Sequence, residues 1–497
     1  MAIAHTPEQH PRAAGPSAPR FCSSEARPWI LAAAIIASAM GFIDGSVVAI
    51  ALPAMREGLG ASLVQATWIN NAYLLPLSAL ILVGGALGDR YGVARVFGAG
   101  IALFVLASVL TAVAPDPQAL IAARALKGVG AALMVPGSLA IIAKAYPKAQ
   151  RGRAIGWWAS ASAVTSAIGP VLGGALLSSL GDWAWRLVFA LNLPLGGAAL
   201  WILLRKVGED APSDDGRVDW AGGALATAAL GLGAWALTAS GQDGTTVPLW
   251  LLTLGAALAA AAFLWRESRA SHPMVPLGLF RDRVFWSANL ATFLLYFALS
   301  AVLFYLPQLV IAGWGRSELE MSLIFIPFAG LMAVLGPVAG RIADRGGPGW
   351  PIGCGAGVVS LSFAGLALTA ELENFWGMVL PLVTLMGAGM SFVVSPLSAA
   401  VMGAVEDRQT GTASGVSNAV SRMAGLVAVA AMGALAAAVY AGAGGTGEFG
   451  GPAAEAGPMN GAFSAVAWFT SAMAAAASAI ALIFVRRPNR RNRAARR

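Results

Sequence analysis

The feature that most constrains this chain is a series of fourteen apolar runs, most of them close to 20 residues long and separated by polar segments. A helix needs about 20 apolar residues to cross the hydrocarbon core of a bilayer, whereas the strands of a β-barrel would alternate apolar and polar residues. With 58% hydrophobic and 11% charged residues, the chain is predicted to be an all-α membrane protein with 14 transmembrane helices. The runs lie near residues 29–51, 66–87, 96–114, 119–143, 154–178, 186–204, 219–239, 249–266, 286–312, 321–341, 350–370, 377–401, 411–440 and 462–485.

Lys and Arg residues gather in every second connection between these runs. The basic residues of the other connections are Arg56, Arg186 and Arg316. By the positive-inside rule the basic connections are cytoplasmic, which predicts a multi-pass protein of the cell (inner or plasma) membrane with both termini in the cytoplasm. The arginine-rich segment 486–497 supplies nearly all of the +8 net charge. Next to a membrane, such a segment indicates a topology signal or a lipid contact, and no nucleic-acid partner is expected.

A polar turn occurs twice, which indicates an internal duplication. Residues 85–95, GALGDRYGVAR, follow the second run, and residues 340–347, GRIADRGG, follow the tenth. Each turn therefore follows the second run of a six-run unit, and two further runs lie between the units. The predicted organisation is a disordered cytoplasmic arm (1–28), an N-terminal six-helix bundle (29–204), a linker with two inserted helices (205–285), a C-terminal six-helix bundle (286–485) and a basic cytoplasmic tail (486–497). Residues 442–461, rich in Gly and Ala, are predicted to form a mobile extracellular loop.

Ionisable residues within the runs are the sharpest functional signals, because a charge at bilayer depth is costly unless it has a partner or faces water. Asp44 lies in the first run, Arg124 and Lys127 lie in the fourth, and Arg422 lies in the thirteenth. Asp44 and Arg124 fall at similar depth and could pair, either as a proton carrier with its partner or as a fixed structural ion pair. Arg422 falls near the midplane, where it could attract an anionic substrate or balance Asp44.

Uncharged side chains within the runs offer a second set of candidates. Polar and aromatic residues could line a substrate cavity, although aromatic residues at such positions more often pack or anchor the helix at the membrane interface. A glycine-rich segment in the fifth run predicts close helix contact, either for packing or for sealing a leak. The cavity candidates are Asn70, Tyr73, Tyr296, Tyr305, Gln308 and Arg422, and the glycine-rich segment contains Gly169, Pro170, Gly173 and Gly174.

Signatures of enzymes are absent from the sequence. It contains no GxxxxGK[ST] phosphate loop, no spacing typical of zinc ligands and no nucleophile elbow. The chain is therefore predicted not to be an enzyme, to hold no metal or cofactor, and to draw its energy from an ion gradient.

Five motifs follow one another along the chain. They are Asp44 in FIDGSVVAIALP, the turn with Gly85, Leu87, Asp89, Arg90 and Gly92, the fourth-run segment with Arg124, Gly128, Gly130 and Pro136, the fifth-run segment with Gly169, Pro170, Gly173 and Gly174, and GTASGVSNAVSR ending at Arg422. Together these motifs resemble the major facilitator superfamily and, within it, the fourteen-helix branch of drug:proton antiporters.

The resemblance implies outward transport and a role for each motif. Asp44 and Arg124 would couple transport to protons, and the fifth-run motif would mark an antiporter. Gly85, Asp89, Arg90 and Gly92 would form a cytoplasmic gate, with Asp89 held by the positive N-terminal end of the thirteenth helix. The alternative for this turn is a loop whose charges only fix topology.

The hypothesis that follows is a monomeric, proton-coupled exporter of amphipathic small molecules such as drugs, dyes and antibiotics. Its partners would be the substrate, protons and the lipid bilayer. One alternative keeps the fold and narrows the substrate to one endogenous metabolite or self-made antibiotic. A second alternative is a membrane sensor that transports nothing.

Overall fold

The computed structural model describes residues 21–208, 210, 219–239, 247–271, 273–405, 410–451 and 454–485. In these ranges all regular secondary structure is helical. Most of the predicted N-terminal arm, the basic tail and most of the polar linker that precedes the inserted helices lie outside the described residues. The α-helices are α1 Arg27–Leu59, α2 Leu63–Tyr91, α3 Val93–Ala112, α4 Pro117–Ala145, α5 Lys148–Leu180, α6 Trp185–Ala190, α7 Asn192–Lys206, α8 Trp220–Ala239, α9 Leu249–Arg269, α10 Arg283–Gln308, α11 Glu318–Ser322, α12 Phe325–Gly346, α13 Gly349–Thr369, α14 Leu380–Gly403, α15 Thr410–Gly442 and α16 Ala456–Phe484.

Thirteen helical segments in the described part of the chain are long and apolar enough to cross a membrane. Helices α6 and α7 together form one of these segments, and α11 and α12 together form another. Helix α5, 33 residues long, lies where the fifth span is predicted. The all-helical membrane fold is thereby confirmed, and the structure is compatible with fourteen spans.

The two ends of the helix bundle differ in charge. We call the end at which α1 begins and α16 finishes the basic side, and the end at which α1 finishes and α16 begins the far side.

Helices α1 to α7 pack with one another, and so do α10 to α16. Between these two groups, α2 contacts α15, and α5 contacts α11 and α12. The two groups therefore meet through α2 and α15 and through α5, α11 and α12.

Helices α8 and α9 form a separate hairpin. They pack against each other, and α8 also lies against α2 and α15. Asp219 caps the start of α8 by accepting a hydrogen bond from the backbone N–H of Gly222, and it pairs with Arg266 at the end of α9 at 2.6 Å. This ion pair joins the start of α8 to the end of α9 on the basic side. The domain boundaries around the hairpin stay a prediction.

Glycines bring α2 and α4 into backbone contact. A Cβ on Gly84 would lie 2.1 Å from the carbonyl oxygen of Ala132, and a Cβ on Gly128 would lie 2.4 Å from that of Tyr73. Only residues without side chains allow this approach, which is how small residues pack membrane helices. The close contact fixes the rotation of α4 and so determines where its charged residues point.

Candidate functional site

A buried charge cluster joins α1 to α4. We define the charge cluster as Asp44, Arg124 and Lys127, whose exposed fractions are 1%, 0% and 0%. The Nη1 of Arg124 lies 2.5 Å from the Oδ2 of Asp44, and the Nζ of Lys127 donates to Oδ1 of the same carboxylate. One carboxylate therefore serves two buried cations.

The surroundings of the charge cluster are aromatic and shielded from solvent. Arg124 donates its Nε–H to the carbonyl oxygen of Ile69 at 2.9 Å, and its guanidinium stacks over the ring of Tyr73 at 4.5 Å. The ammonium of Lys127 lies 4.7 Å from the ring centre of Phe104 and 4.5 Å from that of Phe189. Ring faces attract cations, so they replace part of the lost hydration.

The structure brings Asp44 and Arg124 together and adds a third member. Sequence analysis identified Lys127 as a charge inside the fourth run but assigned it no role. Its spacing of three residues from Arg124 places both side chains on one face of α4, and this signal could have linked them. The charges of the cluster sum to +1 when all three groups are ionised. An assembly of this kind can exchange a proton and change how strongly its helices attract each other.

A cavity of about 610 Å³ lies between the two helix groups. Its walls belong mostly to the half of the bundle that is nearer the basic side, from Tyr73 to Gly85 on α2, Met134 to Leu139 on α4, and Ser414 to Gly425 on α15. Tyr73 lines this cavity while its ring also covers Arg124. Tyr73 therefore contacts both the cavity and the charge cluster.

Arg422 lies in the cavity wall, half-buried. It is the one charged residue among the described residues that line the cavity, and it forms no ion pair with any described residue. Because Asp44 is bound to Arg124 and Lys127, Arg422 does not balance it in this structure. Of the two alternatives for Arg422, attraction of an anionic substrate is the one that this arrangement favours.

The remaining cavity candidates divide by position. Tyr296 lines the cavity together with Arg422. Asn70 donates its side-chain amide to Asn71 at 3.4 Å and is not among the lining residues. Tyr305 and Gln308 lie deeper toward the far side, fully buried.

The far side is closed by an aromatic and ionic seal. Tyr305 donates its hydroxyl to the carbonyl oxygen of Val429 at 2.7 Å, and its ring lies 5.9 Å from that of Phe449. Arg56, at the end of α1, pairs with Glu448 at 3.1 Å and donates to the carbonyl oxygen of Phe449 at 2.7 Å. These contacts tie α1 to the segment between α15 and α16. The loop predicted over residues 442–461 is shorter in the structure, because α16 already begins at Ala456, and Phe449 within it is buried. The predicted mobility of this loop stays a prediction.

The glycine-rich segment of α5 makes close contacts in the half of the bundle that is nearer the far side. A Cβ on Gly169 would lie 3.0 Å from the Cα of Ile43, and one on Gly173 would lie 2.2 Å from a methyl group of Val47, both on α1. A Cβ on Gly174 would lie 2.6 Å from the carbonyl oxygen of Glu318 on α11. Gly174 therefore permits contact between the two helix groups, and Pro170 lies within α5 beside it.

The predicted gate residues lie at the basic end of α2. Gly85 lines the cavity, Asp89 and Arg90 are exposed, and Gly92 adopts a positive φ of 99° between α2 and α3. Residues 406–409, just before α15, lie outside the described residues, so the latch between Asp89 and α15 stays a prediction.

Sequence reasoning missed Asp210, a linker residue at the basic end of α3. Its Oδ2 accepts the backbone N–H of Ala94 at 2.6 Å, and its Oδ1 accepts from Lys144 of α4 at 2.9 Å. The linker is thereby attached to the first helix group.

Comparison with known proteins agrees with this architecture. Residues 34–429 match the family model described as Major Facilitator Superfamily. The chain is 32% identical to the tetracenomycin C resistance and export protein of Streptomyces glaucescens, over 82% of this chain and 76% of that protein. It is 32% identical to the methylenomycin A resistance protein of Bacillus subtilis, over 82% and 89%, and 30% identical to the multidrug efflux pump LfrA of Mycolicibacterium smegmatis, over 85% and 83%.

Solved structures show the same fold. A bacterial homologue of the human lysosomal transporter Spinster, in an inward-facing and unoccupied conformation, superposes with a TM-score of 0.66 at 16% identity, covering 94% of this chain and 100% of that chain. A D-xylose-proton symporter superposes with a TM-score of 0.65 at 16% identity, covering 92% and 97%. The match across most of the chain, together with the two helix groups and the cavity between them, shows that this protein belongs to the Major Facilitator Superfamily.

Proposed function

We propose that the protein is a proton-coupled secondary transporter that exports amphipathic small molecules by alternating access. The observation that carries the proposal is the position of Tyr73. Its side chain lines the cavity, and its ring covers Arg124 of the buried charge cluster. Substrate in the cavity and protons on the cluster would therefore act on the same side chain. The names of the relatives, which include resistance and efflux proteins, support export as the direction.

The proposed orientation places the basic side, and with it both termini, in the cytoplasm of a cell membrane. In this orientation the cavity faces the cytoplasm and the seal around Arg56 and Phe449 closes the outside. Substrate would enter from the cytoplasm, the seal would open, and protons would return through the charge cluster. Each step needs the helices of a single chain, so we propose a monomer that needs no cofactor besides the proton gradient.

The proposed function is tested in proteoliposomes with purified protein and an imposed pH gradient. Fluorescein, Nile red and ethidium serve as anionic, neutral and cationic aromatic probes. We expect gradient-driven accumulation of at least one probe, and we expect an uncoupler to abolish it. The sensor alternative predicts no flux with or without the gradient. Relatives named for single antibiotics leave a dedicated exporter as the second candidate, and it predicts transport of one compound class when the panel is widened.

A first prediction concerns Arg422 and the charge of the substrate. Since Arg422 is the one charged side chain in the described cavity wall, Arg422→Gln should weaken transport of an anionic probe about tenfold, corresponding to about 1.4 kcal/mol. Transport of a neutral probe should change much less. The measurement is the KM for each probe in proteoliposomes.

The control for this prediction is Arg422→Lys, which retains the charge and should retain most of the preference for the anion. If Arg422→Gln raises the KM equally for the anionic and the neutral probe, the result would contradict a role in charge recognition and would indicate a structural one.

A further inference from the structure

We propose that Lys127, and not Asp44, carries the proton that is exchanged during transport. This inference rests on the proposed proton coupling and concerns the same charge cluster.

The first argument is the number of charges in the enclosure. Asp44, Arg124 and Lys127 are all essentially inaccessible, and one carboxylate faces two cations. If Asp44 took up a proton, two unpaired cations would remain in a medium that screens them poorly. If Lys127 lost a proton instead, a neutral Asp44–Arg124 ion pair would remain. Proton exchange on the lysine therefore leaves less uncompensated charge in the bilayer.

The second argument is that Lys127 has an environment that tolerates both of its forms. As an ammonium it donates to Asp44 and lies against the rings of Phe104 and Phe189. As an amine it would lie among the same apolar rings without a charge to compensate. Arg124 lacks this option, because a guanidinium does not lose its proton in proteins. Lys127 is thus the one cation of the cluster that can change its charge.

The third argument is a physical connection from Lys127 to the cavity. The titratable and charged groups around Lys127 are Asp44 from α1, Arg124 from its own helix and, beyond Arg124, Tyr73 from α2. Helices α3 and α6 contribute aromatic rings to its surroundings. A substrate that displaces Tyr73 would let Arg124 shift toward Lys127. The added repulsion between the two cations would then favour release of the proton.

The proton transfer itself is balanced. One N–H bond of the Lys127 ammonium breaks, the electron pair stays on the nitrogen, and the proton bonds to a water molecule that enters from the cavity. In the outward-facing state the amine takes a proton from water on the other side of the membrane. One proton then crosses inward for each complete cycle of this group.

The chain suits a direct test because it contains four lysines, at positions 127, 144, 148 and 206. Full-length protein labelled with carbon-13 at the lysine Cε gives four signals in nanodiscs, and the signal absent from Lys127→Arg identifies Lys127. We expect this signal to move from the ammonium to the amine position between about pH 6 and 9, where free lysine stays protonated. A signal that stays at the ammonium position throughout this range would overturn the inference, whatever the transport assays show.

Transport by Lys127→Arg provides a second readout. The arginine keeps the positive charge but cannot release a proton, so gradient-driven accumulation of the probe that wild type transports should fall at least tenfold. Exchange of labelled for unlabelled probe without a gradient should fall as well, because the proposal couples substrate binding to release of this proton. Accumulation equal to wild type with an unchanged pH profile would contradict the proposal.

Lys127→Gln cannot carry a proton either, so gradient-driven accumulation should fall at least tenfold in this variant as well. It serves as the second variant in case the larger arginine does not fit between Phe104 and Phe189. Thermal unfolding and gel filtration show whether each variant is folded. If wild type itself shows no gradient-driven transport, the proposed function fails, while the lysine titration still decides the inference about Lys127.

Discussion

We expect Asp44→Asn to abolish gradient-driven efflux and to lower the free energy of unfolding by about 3–5 kcal/mol. Asp44 is the anion that binds both Arg124 and Lys127, so its removal leaves two buried cations without a counter-charge. The role in proton coupling that the resemblance implies for Asp44 already predicts the loss of transport. The structure adds a folding defect, because the carboxylate holds α1 to α4. Efflux assays and thermal unfolding of purified protein measure the two effects separately.

The double variant Asp44→Asn with Lys127→Met provides the matched control. It retains Arg124, so the net charge of the cluster returns to the +1 of the fully ionised wild type. Stability should recover by more than half of the amount lost in Asp44→Asn, and transport should not recover. A single variant that is as stable as wild type would show that the three charges do not act as one unit.

The second large effect is expected at Gly174. Its missing side chain allows α5 to touch the backbone of α11, and a Cβ there would lie 2.6 Å from the carbonyl oxygen of Glu318. Gly174→Ala must therefore push the two helix groups apart on the closed side, because backbone atoms cannot rotate away as a side chain can. We expect gradient-driven transport to fall at least tenfold and the closed seal to lose population.

Seal opening can be measured with a cysteine at Thr67, a buried residue of α2 that lies next to α15. In a chain with Cys22 and Cys354 replaced by Ser, a membrane-impermeant maleimide should label Thr67→Cys several-fold faster when Gly174→Ala is present. Gly156→Ala is the matched control on the same helix, because a Cβ at that position meets nothing within 4 Å. Equal labelling rates in all three backgrounds would refute the role of Gly174 in the seal.

The shared depth of Asp44 and Arg124 was predictable from the sequence, because the rise of a helix is constant and places both residues at a known distance from the ends of their runs.

The location of Tyr305 and Gln308 could not be predicted from the sequence. Both lie in the last third of the ninth run, but whether that part lines a cavity or a seal depends on which helices meet there. The contacts with Val429 and Phe449 place Tyr305 in the seal, and Gln308 lies buried beside Gly450 in the same region.

Two features were decided by distant segments. Phe449 belongs to a Gly- and Ala-rich stretch whose composition suggested mobility, yet the rings of Tyr305 and Tyr440 hold it. Asp210 follows a basic helix end in a polar linker, and nothing near it in sequence indicates that it caps α3. Both contacts join residues far apart in the chain, so local composition carries no information about them.

The sequence by itself determined the class of the protein. The length of the apolar runs requires membrane helices, the distribution of Lys and Arg predicts their orientation, and the cost of buried charge singles out Asp44, Arg124 and Arg422. Tertiary structure alone decided that Asp44 serves two cations, that Arg422 faces the cavity, and that the far side is closed. The physical reason is that depth follows from counting residues along a helix, whereas partners depend on how each helix is rotated, and that rotation is set by close backbone contacts such as those at Gly84 and Gly128.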